Sequence, residues 1–124
     1  MDSKKKGNLG ESIACKYLLQ NKFKILLRNH REKFDEIDII AGSFDGILVF
    51  VEVKALSIET AHFQCLSPED HLTRKKYLKM RRACLMFIAK HPKMVNFEKG
   101  WRIDLVAILL DGEKALKINY YENI

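Results

Sequence analysis

Acidic and basic side chains interrupt two apolar segments of the chain, and these side chains are the best suited to chemistry. Glu36 and Asp38 alternate with isoleucines in Glu-Ile-Asp-Ile-Ile, and Glu52 and Lys54 alternate with valines in Val-Glu-Val-Lys. A buried strand has no structural need for such charges. Because successive side chains of a strand point to opposite faces, each pair should share one face of its strand. The two short motifs are therefore the first candidates for a functional site.

The turn between the two segments decides whether their acids meet. A two-residue turn would pair Asp38 with Val53 and leave Glu52 on the opposite side of the sheet. A three-residue turn that ends at Gly46, with this glycine in the left-handed conformation of a β-bulge, would pair Asp38 with Glu52 instead. The sequence is compatible with both registers.

In the second register Asp38 and Glu52 would face each other, and Glu36 would lie opposite Lys54. Two adjacent carboxylates repel unless a cation or a shared proton compensates. Oxygen ligands without a nearby histidine or cysteine favour Mg²⁺ or Mn²⁺, which can also bind a substrate phosphate and activate a water. Lys54 would then orient the water and stabilise the developing charge. The pattern predicts Asp38 and Glu52 as metal ligands in a phosphodiester-hydrolysing site.

A structural interpretation of the same residues is also open. Asp38 and Glu52 could simply form ion pairs with Lys54 or Arg31. A short Glu-x-Lys motif is also frequent by chance, so the motif alone is weak evidence for a site. Glu11, on the polar side of the first predicted helix, is explained more simply as a surface or capping residue than as a ligand.

The elements that must position these residues follow one another along the whole chain. Apolar spacing predicts helices over residues 5–20 and 67–90, a loop over 56–66, and strands over 23–31, 36–41, 47–55, 101–110 and 114–121. The nearly continuous apolar third strand predicts burial on both faces. A strand, a crossover helix and a further strand form parallel neighbours. We therefore predict an α/β fold whose mixed central sheet has the order α-β-β-β-α-β-β, with helices packed on it.

The long helix is the most basic segment of the chain. Ser67 and Asp70 have the spacing of a capping box, so we expect the helix to begin there. Lys75, Lys79 and Arg82 follow at positions i, i+4 and i+7 and share one helix face. The whole chain has 22 Lys and Arg against 16 Asp and Glu, a net charge of +6. A basic face of this kind predicts phosphate binding, and its alternative is a solvated helix surface.

Length and composition exclude several other classes of protein. The 124 residues predict a single domain over 1–124, and no apolar run approaches the roughly 20 residues of a membrane-spanning helix. The basic start lacks a following apolar region, so we expect a cytoplasmic protein without a signal peptide. Cys15, Cys65 and Cys84 lack the spacing of a zinc site and are predicted to be buried thiols.

Several short motifs, taken together, resemble the YraN-like family of small bacterial proteins. They are Gly10-Glu11 with Ala14 and Tyr17-Leu18, Leu27-Arg28-Asn29, Glu36-Ile37-Asp38-Ile39-Ile40-Ala41, Leu48-Val49-Phe50-Val51-Glu52-Val53-Lys54, and Thr73 with Lys76 and Lys79. That family is similar to the PD-(D/E)XK nuclease superfamily and to archaeal Holliday junction resolvases. The resemblance implies a restriction-endonuclease-like core. It also implies that the active site consists of Glu11, Asp38, Glu52 and Lys54.

Two positions depart from the pattern of the family that the chain resembles. Asp35 stands where the family usually has glycine, and Leu56 stands where it often has a basic residue. The first departure adds an acid near the predicted site, and the second removes a potential phosphate contact.

These observations predict a metal-dependent endonuclease that hydrolyses phosphodiester bonds in DNA, with branched DNA of repair or recombination as a candidate substrate. Mg²⁺ or Mn²⁺ is the predicted cofactor. The predicted nucleic-acid-binding residues are Lys75, Lys76, Lys79 and Arg82. The alternatives are a nucleic-acid-binding module with the nuclease fold but little cleavage, and a purely structural interaction protein. A homodimer would suit a two-stranded substrate.

Overall fold

A five-stranded sheet with helices on both faces forms the framework of the protein. The computed structural model describes residues 2–33, 35–64 and 66–124. The helices are α1 (Ser3–Gln20), α2 (Ile58–Gln64) and α3 (Arg74–Lys90). The strands are β1 (Lys24–Glu32), β2 (Asp35–Gly42), β3 (Leu48–Ser57), β4 (Trp101–Asp111) and β5 (Lys114–Tyr121). None of the helices in this described part combines the length and apolar character needed to span a membrane.

The strands lie in the sheet in their order along the chain, β1-β2-β3-β4-β5. The pair β3 and β4 is parallel, and the other three pairs are antiparallel. The crossover between the parallel strands contains α2 and α3. The predicted mixed sheet and its helices are confirmed.

The central strand β3 contributes to two separate hydrophobic cores. Val49 and Val51 pack with α1 on one face, and Leu48 and Phe50 pack with α3 on the other. All four are buried. Burial on both faces of the sheet therefore explains the continuous apolar sequence of this strand, as predicted.

The turn between β2 and β3 adopts the second of the two registers considered above. The strands pair from Gly42 opposite Leu48 to Ile39 opposite Val51. Gly46 has a φ of 91°, which is the left-handed region that favours glycine. The ladder ends at the pair of Ile39 and Val51, so neither of the two predicted pairs beyond it, Asp38 with Glu52 and Glu36 with Lys54, forms in the ladder.

The predicted loop over 56–66 is wrong, because residues 58–64 form the short helix α2. This helix has no buried residues, and its Phe63 is 88% exposed. A helix without a buried face lacks the apolar periodicity by which helices are predicted. The element was therefore missed for a physical reason.

The predicted start of the long helix is also wrong. Ser67 and Asp70 do form a capping box, but they cap a four-residue 3₁₀ turn, Pro68–His71. Leu72 then has an extended backbone, and Thr73 caps α3 by accepting a hydrogen bond from the Lys76 amide. Two successive helix N-caps, one for the 3₁₀ turn and one for α3, therefore lie where the sequence pattern suggested a single cap.

Two buried acids have structural partners. Asp104 is fully buried and accepts hydrogen bonds from Arg102 and from the Tyr120 hydroxyl. Glu32 is buried at the end of β1, where it accepts a hydrogen bond from Lys90 Nζ at 2.7 Å and contacts the His30 ring. These bonds, that of Lys90 first, hold the pKa of Glu32 below its usual range, although burial acts in the opposite direction.

The Glu32 contacts predict a pH-dependent contribution to stability. Glu32→Gln removes the charged partner of Lys90 and should lower the free energy of unfolding at pH 7 by about 1–3 kcal/mol. A carboxylate with a lowered folded pKa stabilises above its unfolded pKa and loses that contribution as the pH falls. The difference from the wild type in urea denaturation should therefore shrink below about pH 4. Exposed Glu113→Gln is the control, and a difference that does not change with pH would contradict the prediction.

Candidate active site

The four residues of the predicted active-site set line one cavity. The cavity measures 340 Å³ and is bordered by α1, β2, β3 and the turn before α3. Glu11 enters from α1, Asp38 from β2, and Glu52 and Lys54 from β3. Residues that are distant along the chain therefore share one concave surface, as binding and catalytic sites commonly require.

Asp38 lies where β2 and β3 separate. Its Oδ2 accepts a hydrogen bond from the Val53 amide at 2.8 Å, just beyond the last pair of the ladder. Burial and the neighbouring Glu52 carboxyl group, through hydrogen bonding and charge, raise the pKa of Asp38 far above its usual range. Holding both carboxylates charged therefore requires a compensating positive charge.

A local distortion of β1 and β2 accompanies this separation. Asn29 of β1, which has a φ of 52°, lies between the paired residues Arg28 and His30. On β2, Ile37 and Ile40 are three positions apart yet pack into the same core, so regular alternation is broken between them. Asparagine tolerates the left-handed conformation better than most residues. The distortion lies at Asp38, beside the cavity.

Glu11 reaches the cavity because α1 packs closely on β3. A Cβ atom added to the adjacent Gly10 would lie 2.9 Å from the Ala55 Cβ, so only glycine permits this approach. Burial and the charge of Asp38 raise the pKa of Glu11. The Arg28 charge and the Asn29 side chain act on this pKa in the opposite direction. The Oε1 atom of Glu11 is buried and has no hydrogen-bond partner among the described residues. Such an atom is suited to a ligand in the cavity.

A second cavity of 230 Å³ connects the acids to the basic helix. It is lined by Asp35, Glu52, Lys54, Lys76 and Lys79. Glu52 and Lys54 therefore border both cavities, whereas Lys76 and Lys79 come from the first turns of α3. Opposite charges from β3 and α3 meet at this point.

The remaining basic residues of the predicted stripe lie on the outer surface of α3. Lys75, Lys79 and Arg82 border a shallow groove of 520 Å³, together with the exposed Leu78. Lys79 is common to this groove and to the second cavity. The stripe thus extends from the exposed helix surface to the acids.

The structure also shows where the remaining acid of the two motifs, the cysteines and one histidine lie. Glu36 lies outside both cavities and forms an ion pair with Arg31 at 3.8 Å. Cys15 and Cys84 are buried free thiols, as predicted, and Cys65 lies outside the described residues. Sequence reasoning did not single out His71, although it lines the first cavity. A lone histidine without a spaced partner carries little signal in a sequence.

The donor set at Asp38 and Glu52 suits a hard divalent ion held partly by the protein. Across residues 2–33, 35–64 and 66–124, no three His, Cys, Asp or Glu side chains are grouped closely enough to hold a metal ion. Mg²⁺ usually keeps several waters and is bound through one or two carboxylates and the substrate phosphates. The two neighbouring carboxylates of Asp38 and Glu52 fit that requirement.

Comparison with known proteins identifies the family. The profile described as Uncharacterised protein family UPF0102 matches residues 10–108. The chain belongs to UPF0102. Membership confirms the resemblance to YraN-like proteins, and the matched residues include all four members of the predicted active-site set.

Individual UPF0102 proteins match this chain over most of its length. One from Sulfurihydrogenibium sp. is 38% identical over 124 residues, which cover 99% of this chain and 96% of that protein. One from Campylobacter lari is 39% identical over 113 residues, which cover 90% of this chain and 89% of that protein. One from Fervidobacterium nodosum is 33% identical over 122 residues, which cover 98% and 83% respectively. The similarity therefore includes the helices and strands around the cavity.

The contact between Gly10 and Ala55 predicts opposite effects of alanine at two positions of α1. Gly10→Ala should lower the free energy of unfolding by about 1–3 kcal/mol because the added methyl group displaces α1 from β3. Gly7→Ala meets no atom within 4 Å and should instead raise it by about 0.5–1 kcal/mol through helix propensity. Urea denaturation of both variants measures this difference. Equal effects would contradict the close contact, whereas rescue of Gly10→Ala by Ala55→Gly would support it.

Proposed function

We propose that this UPF0102 protein is a metal-dependent endonuclease that hydrolyses phosphodiester bonds in DNA. The observation that carries the proposal is the convergence of Glu11, Asp38, Glu52 and Lys54 on one cavity that adjoins a basic helix. The resemblance to PD-(D/E)XK nucleases, which implies a restriction-endonuclease-like core and this set of residues, also supports the proposal. The proposed fold is accordingly restriction-endonuclease-like.

The residues of the cavity divide the chemical work. Asp38 and Glu52 would hold Mg²⁺ or Mn²⁺, with Glu11 completing the acidic wall. When bound, the ion supplies Lewis acidity to the phosphodiester and lowers the pKa of water. Lys54 borders both cavities, so its ammonium group can orient the attacking water and stabilise charge that develops on the phosphate.

The basic surface of α3 provides a path for the DNA backbone. Lys79 borders the outer groove as well as the second cavity, and Lys76 borders the cavity alone. A phosphate chain that followed Arg82, Lys79 and Lys76 would therefore reach Glu52 and Lys54. Such contacts position the nucleic acid without reading its bases. This arrangement favours recognition of backbone shape over recognition of sequence.

Branched DNA is the proposed substrate class, because the set resembles that of junction-resolving nucleases. A symmetric homodimer would present two equivalent cavities to two strands of such a substrate. We place this activity in the cytoplasm, where bacterial DNA would be available to the protein.

A nucleic-acid-binding module with little cleavage is the second candidate function. It is favoured by the absence, among the described residues, of a third ligand side chain grouped with Asp38 and Glu52. Asp35 in the second cavity adds a further negative charge beside the proposed phosphate path. Incubation with linear, single-stranded and four-way-junction DNA, with and without Mg²⁺ or Mn²⁺, separates the two functions. Metal-dependent product supports the nuclease, and binding without product supports the module.

The proposed DNA path predicts a change in the salt dependence of binding. Lys75→Ala, Lys79→Ala and Arg82→Ala should each reduce the slope of log affinity against log salt by about one unit, with little change in sequence preference. Fluorescence anisotropy with labelled duplexes over a series of salt concentrations measures this slope. Lys114→Ala, at the exposed start of β5, is the matched control and should retain the wild-type slope. Unchanged slopes in all the α3 variants would assign these residues to a solvated surface.

The proposed division of roles predicts that two neighbouring residues of β3 differ in their effect on the metal. Glu52→Gln and Lys54→Ala should both abolish cleavage of the DNA panel. In thermal melts, however, Mg²⁺ or Mn²⁺ should stabilise the wild type and Lys54→Ala, and should stabilise Glu52→Gln much less. An ion that binds only the native state shifts unfolding by mass action, and lysine is not a ligand.

Exposed Glu113→Gln is the charge-matched control for Glu52→Gln and should behave as the wild type in both assays. DNA binding by Glu52→Gln should be equal or tighter, because a negative charge facing the phosphate is removed. Equal metal stabilisation of all variants would place the ion elsewhere.

A further inference from the structure

His71 lies on the wall of the acidic cavity, outside the set of residues that the resemblance implies. It shares this wall with Glu11, Asp38, Glu52 and Lys54. We propose that His71 is a substrate-contacting residue whose imidazole donates a hydrogen bond to the phosphodiester held in the cavity. This inference rests on the proposed nuclease function and adds a specific contact to it.

The turn that carries His71 is held in place from several sides. Its Ser67 amide donates to the Asp70 carboxylate at 2.8 Å, which completes the capping box. Pro68 is buried, and the turn packs against β3 and β4. At its end, Lys76 Nζ donates to the His71 carbonyl oxygen at 3.2 Å. The imidazole is therefore presented by a constrained backbone, as a residue that contacts substrate needs to be.

The Nε2 atom of His71 is buried, and the part of the chain that the structure describes offers it no hydrogen-bond partner. Buried polar side-chain atoms in proteins are nearly always hydrogen-bonded, so an exception at a cavity is a candidate contact for a bound group. Among the described residues, Glu11 Oε1 is the other such atom, and it belongs to a residue that lines the same cavity. The two unpartnered atoms differ in chemistry, because a carboxylate oxygen accepts hydrogen bonds and suits a cation, whereas an imidazole N–H donates and suits an anion.

A phosphodiester is the ligand that meets both requirements. The carboxylates of Asp38 and Glu52 repel an anion, so a phosphate in this cavity needs hydrogen-bond donors as well as a cation. Among the described residues, His71 does not complete a group of three metal-ligating side chains with Asp38 and Glu52. Lys54 and His71 would then provide two donors from separate elements, β3 and the turn before α3.

The test compares His71→Ala with His71→Gln, because the glutamine amide retains an N–H donor of similar reach. His71→Ala should lower kcat/KM for DNA cleavage in Mg²⁺ by about 10- to 100-fold, and should weaken binding of uncleaved DNA in Ca²⁺. His71→Gln should retain most of both. Stabilisation by Mg²⁺ in melts without DNA should be the same in the wild type and in both variants.

A measurement on the unmutated protein guards against misfolding of the alanine variant. With ¹⁵N-labelled histidine, the imidazole resonance that is missing from His71→Gln belongs to His71. That resonance should shift when a short DNA duplex is added with Ca²⁺, and should not shift with Ca²⁺ alone.

The outcomes separate this inference from the function on which it rests. If the wild type cleaves DNA and His71→Ala cleaves equally well, the His71 contact is wrong and the nuclease function stands. If His71→Ala loses its stabilisation by Mg²⁺, His71 is a metal ligand and not a substrate contact. If the wild type neither binds nor cleaves DNA, the proposed function fails and this contact fails with it.

Discussion

A one-residue slip between β2 and β3 would carry Asp38 to the other side of the sheet from Glu52. The register that prevents this slip depends on the turn before β3, where Gly46 adopts a φ of 91°. Two cores then hold the register, because β3 buries valines against α1 and larger apolar residues against α3. The position of the acids is thus a consequence of packing on both faces of one strand.

The cavity concentrates negative charge where the sheet opens. Asp38 uses one carboxylate oxygen to replace a ladder partner of Val53, and burial together with the neighbouring Glu52 raises the pKa of Asp38. Gly10 brings Glu11 to the same place by permitting close contact between α1 and β3. Compensating charge comes from α3, through side chains that border the second cavity. The negative charge of the acids on β2 and β3 is therefore compensated in this region by basic side chains of α3.

The parts of the molecule that could be predicted are those with a repeating apolar pattern. The mixed sheet and the parallel neighbours across a crossover helix follow from such patterns, whereas turn chemistry left two registers open, of which one forms. Helix α2 could not be predicted because it has no buried face. The separate 3₁₀ turn before α3 was hidden because its capping box looks like the start of a long helix. The left-handed Asn29 and the placement of His71 depend on contacts between distant segments, which local patterns do not contain.

The parallel pairing of β3 with β4 has a consequence for the order of folding. Strands β1, β2 and β3 are joined by short connections, whereas β3 and β4 are separated by the whole crossover with α2 and α3. Closing a long loop costs entropy before its contacts are made, so local hairpins generally form sooner than non-local pairs. We therefore expect the three-stranded meander to assemble early and to bring Asp38 and Glu52 together before α3 docks. The acidic half of the cavity would be built first, and its basic wall would close last.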